Sequence, residues 1–283
     1  MMSESTVIHE ERGAVAIVTL NRPQALNSVN RQMHHDLWPV LDAVQANPAI
    51  RALVLTGAGR AFCAGADLAS LDLTPGPDLA RRADPTPLIE EQFNPTVRRL
   101  LALRMPSIAA VNGVAAGAGA SLAMLCDITI AAPGASFIQA FSKIGLVPDA
   151  GGSWLLPQRL GLARAMGLAL TADKLPAAQA RDWGLIWDVA DDPLAAAIAL
   201  AQRLAGMPTK ALVATRALLR SAQTRSLEEQ LNAERDTQAE MGATQDFIEG
   251  VLAFQESARR GSPGSRSETS RSQRRSSHRS TCA

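Results

Sequence analysis

Long apolar runs, cysteine and lysine are all scarce in this sequence, and the first two shortages each exclude something. No stretch approaches the roughly 18–20 uninterrupted apolar residues that a helix needs to cross a bilayer. The opening MMSESTVIHEERG lacks the basic and apolar regions of a secretory signal. A cytoplasmic protein with no membrane partner is therefore expected. Three cysteines, Cys63, Cys126 and Cys282, are too few and too scattered for a disulfide framework or a zinc cluster. Reduced thiols and no structural metal follow as expectations. Lysine occurs only at Lys143, Lys174 and Lys210, a bias to which no mechanism attaches.

The net charge of +1 hides an asymmetry. Residues 259–283 carry seven arginines and one glutamate, which leaves 21 basic and 26 acidic side chains in the rest of the chain. An acidic body is a poor partner for nucleic acid, whereas the basic tail could hold polyanions weakly and in a salt-dependent way. Eight of the 25 tail residues are serines, and almost nothing there is apolar. Such a segment cannot offset its ordering entropy, so a disordered Arg/Ser-rich tail over 259–283 is expected.

What is present is an ordinary globular composition, 47% hydrophobic and 19% charged over 283 residues, enough for a substantial core. Val15–Leu20 (VAIVTL) and Ala52–Thr56 (ALVLT) are short apolar runs closed by the turn signals Asn21-Arg22-Pro23 and Gly57-Ala58-Gly59. Both read as buried strands. Between them Val29, Met33, Leu37, Val40, Leu41 and Val44 recur at mostly three- and four-residue spacing, the pattern of a helix packing one face on a sheet. Further along, a helix is expected around Glu90–Leu103, strands at Ile108–Val111 and Ile128–Ala131, and a short small-residue helix at Ala118–Leu125. Alternation of this kind indicates an α/β fold. Beyond Gly151 the pattern is almost all helical, interrupted by a strand at Ile186–Val189. Leu73–Pro87, with four prolines, reads as an excursion or mobile loop.

Three segments carry chemistry: NRPQALNS at Asn21–Ser28, LTGAGRAFCAGADL at Leu55–Leu68, and VNGVAAGAGASLAMLCDITIAA at Val111–Ala132. Each is a strand end running into a turn. Glycine and alanine let a bulky ligand approach the main chain, and turns after strands expose N–H groups to a developing oxyanion. In order and spacing these segments resemble the crotonase (enoyl-CoA hydratase/isomerase) family, from about Val7 to Phe254. The resemblance implies a core of repeated ββα turns over residues 1–207 and a helical trimerisation region over 208–258. It also implies a homotrimer or a dimer of trimers, and an acyl-CoA substrate, so that coenzyme A enters with the substrate and no separate cofactor is needed. By position, the thioester oxygen would lie between the main-chain N–H groups of Ala66 and Ala118. The CoA nucleotide would lie against Arg22, Ala25, Leu26, Ala64, Asp67 and Leu68.

Hydratases of this family resemble one another in using two glutamates, and the corresponding places here hold Ser121 and Phe141. A carboxylate appears instead at Asp149, in FSKIGLVPDAGGSWLLP. One acid suits one proton carried between two carbons, a 1,3-shift or a related ring rearrangement. Ile144, Leu146, Val147 and Trp154 are expected to surround it and to raise its pKa by desolvation. Crotonases often end in a basic and aromatic stretch, which Arg-Ser repeats replace here.

Blander readings bear on the same residues. Gly113–Gly119 lacks the third glycine of a dinucleotide fingerprint at its required spacing, and Asp127 comes too soon to be the ribose acid. Neither Ser121 nor Ser153 sits in a G-x-S-x-G elbow, and His9, His34, His35 and His278 lie in no family motif. Ser121 is expected to donate a hydrogen bond near the ligand or to its own helix. Cys63 and Cys126 read as small buried apolar residues. From another class, a scaffold that lost catalysis and binds RNA or anionic partners through its tail would have no need of Asp149.

Overall fold

The computed structural model describes residues 5–261. The expected tail from residue 262 onward, with His278 and Cys282, lies outside the described residues. The chain divides after Leu219 into two compact units.

The first unit is built from two sheets. Val7–Arg12 (β1) and Val15–Leu20 (β2) form an antiparallel hairpin. Arg31–Ala46 (α1) follows, capped at Asn30, whose side chain accepts from the Met33 N–H. Ala52–Gly57 (β3) then pairs in parallel with β2, and Ala61–Cys63 (β4) leaves for the second sheet. After the short helical turns Leu79–Arg82 (α2) and Thr86–Leu88 (α3), a π-turn at Ile89–Phe93 runs into Asn94–Leu101 (α4). Ser107–Val111 (β5), Val114–Ala116 (β6) and Ala118–Leu125 (α5) form the next repeat, and Ile128–Ala131 (β7) with Ser136–Ile138 (β8) open the one after. Gly152–Leu160 (α6) and Leu162–Thr171 (α7) lead to Lys174–Pro176 (β9), Ala177–Asp182 (α8), Asp188–Val189 (β10) and Pro193–Ala205 (α9). The larger sheet has the order β1-β2-β3-β5-β7-β10, the smaller β4-β6-β8-β9. The strand pairs β3-β4, β5-β6 and β7-β8 each give one strand to each sheet, whereas β1 and β2 both stay in the larger one.

Period-two alternation explains why the larger sheet is buried on both faces. Ala16, Val18, Leu53, Leu55, Ala109 and Val111 turn toward the main core with Met33, Leu37 and Leu41 of α1. Val15, Ile17, Val54, Ile108 and Ala110 turn the other way, against Ala197, Ala201 and Ala205, which recur every four residues on α9.

Several expectations shift. The helix placed at Glu90 begins at Thr86, so Leu73–Pro87 is not wholly irregular. Pro87 sits in a first helical turn, where a missing N–H breaks no intrahelical bond. The strand expected at Ile186–Val189 narrows to Asp188–Val189.

Thr209–Ser221 (α10) crosses the division between units. The second unit contains Leu227–Gly242 (α11), begun by a Ser226/Glu229 capping box, and Gln245–Gly261 (α12). α12 runs through residues 259–261, into the segment expected to be disordered. Among the described residues no helix is long and apolar enough to cross a membrane.

Candidate active site

β4 and β6 are parallel neighbours, so the loops that leave their C-terminal ends emerge side by side. After β4 comes Ala64–Asp67; after β6, Gly117 turns with φ +52 and α5 begins at Ala118. Gly65, at φ +98, is the contact between them: a Cβ there would stand 2.8 Å from the Ala116 carbonyl oxygen and 3.4 Å from the Ala118 nitrogen. No other residue type fits that position.

The first loop is pinned from behind. The Ala64 N–H donates to Leu26 O, Val29 N–H to Gly65 O and Asp67 N–H to Val29 O, at 3.0, 2.7 and 2.9 Å. This bridge turns the intervening Ala66 N–H away from Val29. Ala118 is the first helical residue, so its N–H has no acceptor within the helix. Among the described residues neither N–H donates a hydrogen bond. The two expected oxyanion donors are therefore adjacent and available.

Ala66 and Ala118 both line one cavity of about 140 Å³. Its walls include Ala64, Leu68, Leu71, Leu88, Ile89, Phe141, Ile144 and Leu146, and one titratable group, Asp149. Asp149 precedes α6, in a turn where Ala150 and Gly151 both have positive φ, at +48 and +81. One carboxylate oxygen, Oδ1, is buried and has no hydrogen-bond partner. Burial raises the group from the usual carboxylate value to about 6, an effect its own main-chain N–H partly offsets. Ile144 and Leu146 line the cavity as expected, but Val147 is 77% exposed and Trp154 45%, and neither lines it. Phe141 closes one side: its ring would lie 3.6 Å from a Cβ at Gly117.

The residues assigned to the CoA nucleotide divide into two groups. Ala64 and Leu68 are on the cavity wall. Arg22 and Asp67 instead pair with each other at 2.8 Å, both mostly buried, and Arg22 also donates to Ser28 O at 2.6 Å. Ala25 and Leu26 belong to a single 3-10 turn whose cap, Leu26, adopts φ +52. Sequence reasoning missed Asn27, which is fully buried. Its Oδ1 accepts from the Arg22 N–H and its Nδ2 donates to Ala58 O and Ala61 O, tying this turn to β4. The signal for it was an asparagine in a turn segment, between Leu26 and Ser28.

The Ser121 hydroxyl does not bond its own helix; it donates to the main-chain carbonyl of Asp149, a residue of the cavity wall, at 3.0 Å. Cys63 is fully buried, which pushes its thiol up to about 12 and leaves it inert at neutral pH. Among the described residues no group of three or more His, Cys, Asp or Glu could hold a metal ion.

A loop pair that presents two unpaired main-chain N–H groups beside a buried carboxyl is an arrangement suited to acyl chemistry through an oxyanion. Residues 10–261 match the family Enoyl-CoA hydratase/isomerase, and the chain belongs to that crotonase family of enzymes acting on CoA thioesters. It is 50% identical over 258 residues to the 1,2-epoxyphenylacetyl-CoA isomerase of Escherichia coli (strain K12), covering 89% of this chain and 96% of that one. It is 42% identical over 257 residues to a protein of Rhodobacter capsulatus named "probable enoyl-CoA hydratase", with 90% and 96% covered. The crystal structure of an enoyl-CoA hydratase from Polaromonas sp. JS666 superposes with a TM-score of 0.80 at 32% identity, covering 89% of this chain and 97% of that one.

Proposed function

We propose that the protein is an acyl-CoA isomerase, and specifically one that converts 2-(1,2-epoxy-1,2-dihydrophenyl)acetyl-CoA to its seven-membered oxepin isomer in phenylacetate catabolism. The observation that carries the isomerase reading is the solitary carboxyl. Among the described residues Asp149 is the one titratable side chain on the cavity wall, and by the family resemblance Ser121 and Phe141 stand where a two-acid hydration site would place its glutamates. The identity to the E. coli isomerase supports the epoxide substrate.

In this reading the thioester oxygen accepts from the Ala66 and Ala118 N–H groups, and Asp149 Oδ1, which has no other partner, faces the acyl carbons. The ionised carboxyl removes the proton beside the thioester carbonyl. The electron pair moves onto the oxygen between the two N–H groups, where each donor lowers the barrier by about 3–4 kcal/mol. The carbon–carbon bond shared by the epoxide and the six-membered ring breaks, its electron pair passing into the double bonds of the seven-membered ring, and the same carboxyl returns the proton to a ring carbon, so the product is an isomer and no cofactor is required. Leu71, Leu88, Ile89 and Phe141 suit an apolar acyl group. Arg22, Ala25, Leu26, Ala64, Asp67 and Leu68 form the CoA side, with Arg22 and Asp67 shaping the main chain through their mutual pair. Assembly as a homotrimer or dimer of trimers would give partners to the exposed Leu227, Phe247 and Phe254 of α11 and α12. The cytoplasm is the proposed compartment.

A single carboxyl serves equally for moving a double bond from the 3 to the 2 position of an enoyl-CoA. Parallel assays on the ring-epoxide CoA ester, a 3-enoyl-CoA and crotonyl-CoA rank these activities. Turnover of the first at the highest kcat/KM is expected, and exclusive hydration of crotonyl-CoA would overturn the proposal.

A further inference from the structure

One short helix carries two features of the site. Its first residue is Ala118, which lines the cavity and whose N–H has no acceptor within the helix; Ser121 lies one turn on, with its N–H bonded to Gly117 O at 3.2 Å. Ser121 is fully buried, and its hydroxyl donates to the main-chain carbonyl of Asp149, 28 residues away, at 3.0 Å. The same carbonyl accepts from the Gly152 N–H at 2.8 Å. Gly152 is pressed against the hydroxyl so closely that a Cβ there would stand 2.7 Å from Ser121 Oγ. Between these two points lie Ala150, in the left-handed region at φ +48 although it carries a Cβ, and Gly151 at φ +81. A non-glycine residue held there costs about 1–3 kcal/mol and persists only where its surroundings fix it.

We propose that Ser121 is a positioning residue for the isomerase reaction: its hydroxyl clamps the strained Pro148–Gly152 turn to α5 and so fixes the Asp149 carboxyl relative to the Ala118 N–H. The helix that supplies an oxyanion donor thereby also sets the reach of the acid. The hydroxyl itself touches no substrate, since Ser121 is absent from the cavity wall. Loss of the clamp lets the turn relax, carries the carboxyl toward water and misaligns it with the acyl carbons, where a shift of about 1 Å costs on the order of 100-fold in rate.

The inference rests on the proposed role of Asp149, and the test separates the two. Deuterium uptake at C2 of phenylacetyl-CoA in D2O is followed for the full chain and for Ser121→Ala, Ser121→Thr and Asp149→Asn, across pH and substrate concentration. Ser121→Ala is expected to lose about 10- to 100-fold in maximal rate with KM within about twofold of the parent, and its rate–pH midpoint should fall toward that of an ordinary carboxylate. Ser121→Thr, which keeps the hydroxyl, should recover both. An unchanged rate and midpoint in Ser121→Ala, or a loss that Ser121→Thr leaves in place, overturns the clamp. Full exchange by Asp149→Asn overturns the isomerase reading itself, whatever Ser121 does.

Discussion

Gly119 backs directly onto Cys63: a Cβ at Gly119 would stand 2.1 Å from the Cys63 carbonyl oxygen. No rotamer relieves a clash with backbone, so Gly119→Ala must push α5 off β4. Overpacking of this kind costs typically about 1–3 kcal/mol, and the displaced helix carries the Ala118 N–H out of line. A Tm several degrees lower and turnover at least tenfold lower are expected. Gly134→Ala is the control, because a Cβ there meets nothing within 4 Å. Equal Tm values for the two variants would show that α5 does not rest on β4 as described.

Asn27 uses both ends of its amide, accepting from Arg22 N–H and donating to Ala58 O and Ala61 O at 2.9 and 2.8 Å. Asn27→Asp keeps the shape and the acceptor but replaces the donor with oxygen. A buried oxygen then faces two carbonyls, at a cost of about 3 kcal/mol or more. The loop bearing Ala66 should loosen with it. Denaturant titration should show a lower midpoint with an unchanged m-value, and KM for the CoA ester should rise. A midpoint within error of the parent would mean that the turn holds itself.

The strands that sequence made legible are those buried on both faces. VAIVTL and ALVLT are continuous apolar runs because each side chain, whichever way it points, meets a core. The missed strands had no such signal. β4, β6, β8 and β9 are three residues each, too short for any period to appear. β1 reads VIHEER because most of its residues are partly or fully exposed. The candidate site was legible where it is main chain, since glycine is required by close approach at Gly65 and Gly119 and by positive φ at Gly117. It was not legible where side chains reach across the fold. The Ser121–Asp149 and Asn27–Ala61 contacts join residues 28 and 34 positions apart, and no local pattern records them.

The rate of proton abstraction should follow the ionisation of Asp149. With its value raised to about 6, turnover should rise through pH 6 and level off above about pH 7. Asp149→Asn should remove at least about 1,000-fold of kcat and leave CoA-ester binding within about threefold, because the oxyanion donors are main chain. A pH–rate profile with its midpoint near 4 would mean that the carboxyl is solvated in the working enzyme.

Stability should respond to pH through two groups of opposite sign. Asp149 is raised from 3.8 to about 6, so its stabilising contribution is present below pH 4 and is lost as pH rises through 6. His34 is lowered from 6.5 to about 4, by burial first and by His35 second. Its contribution is present above pH 6.5 and is lost as pH falls through 4. Each amounts to about 3 kcal/mol at most, at about 1.4 kcal/mol per pKa unit. Between pH 4 and 6 the two therefore nearly cancel in the parent protein. Asp149→Asn removes one and exposes the other: the variant should equal the parent at pH 4 and exceed it by up to about 3 kcal/mol at pH 8. Its own stability should climb from pH 4 to 6.5 while the parent stays nearly level. Urea titrations at half-unit pH intervals measure both curves, and a gap that fails to widen with pH would mean that ionised Asp149 is not desolvated in the folded chain.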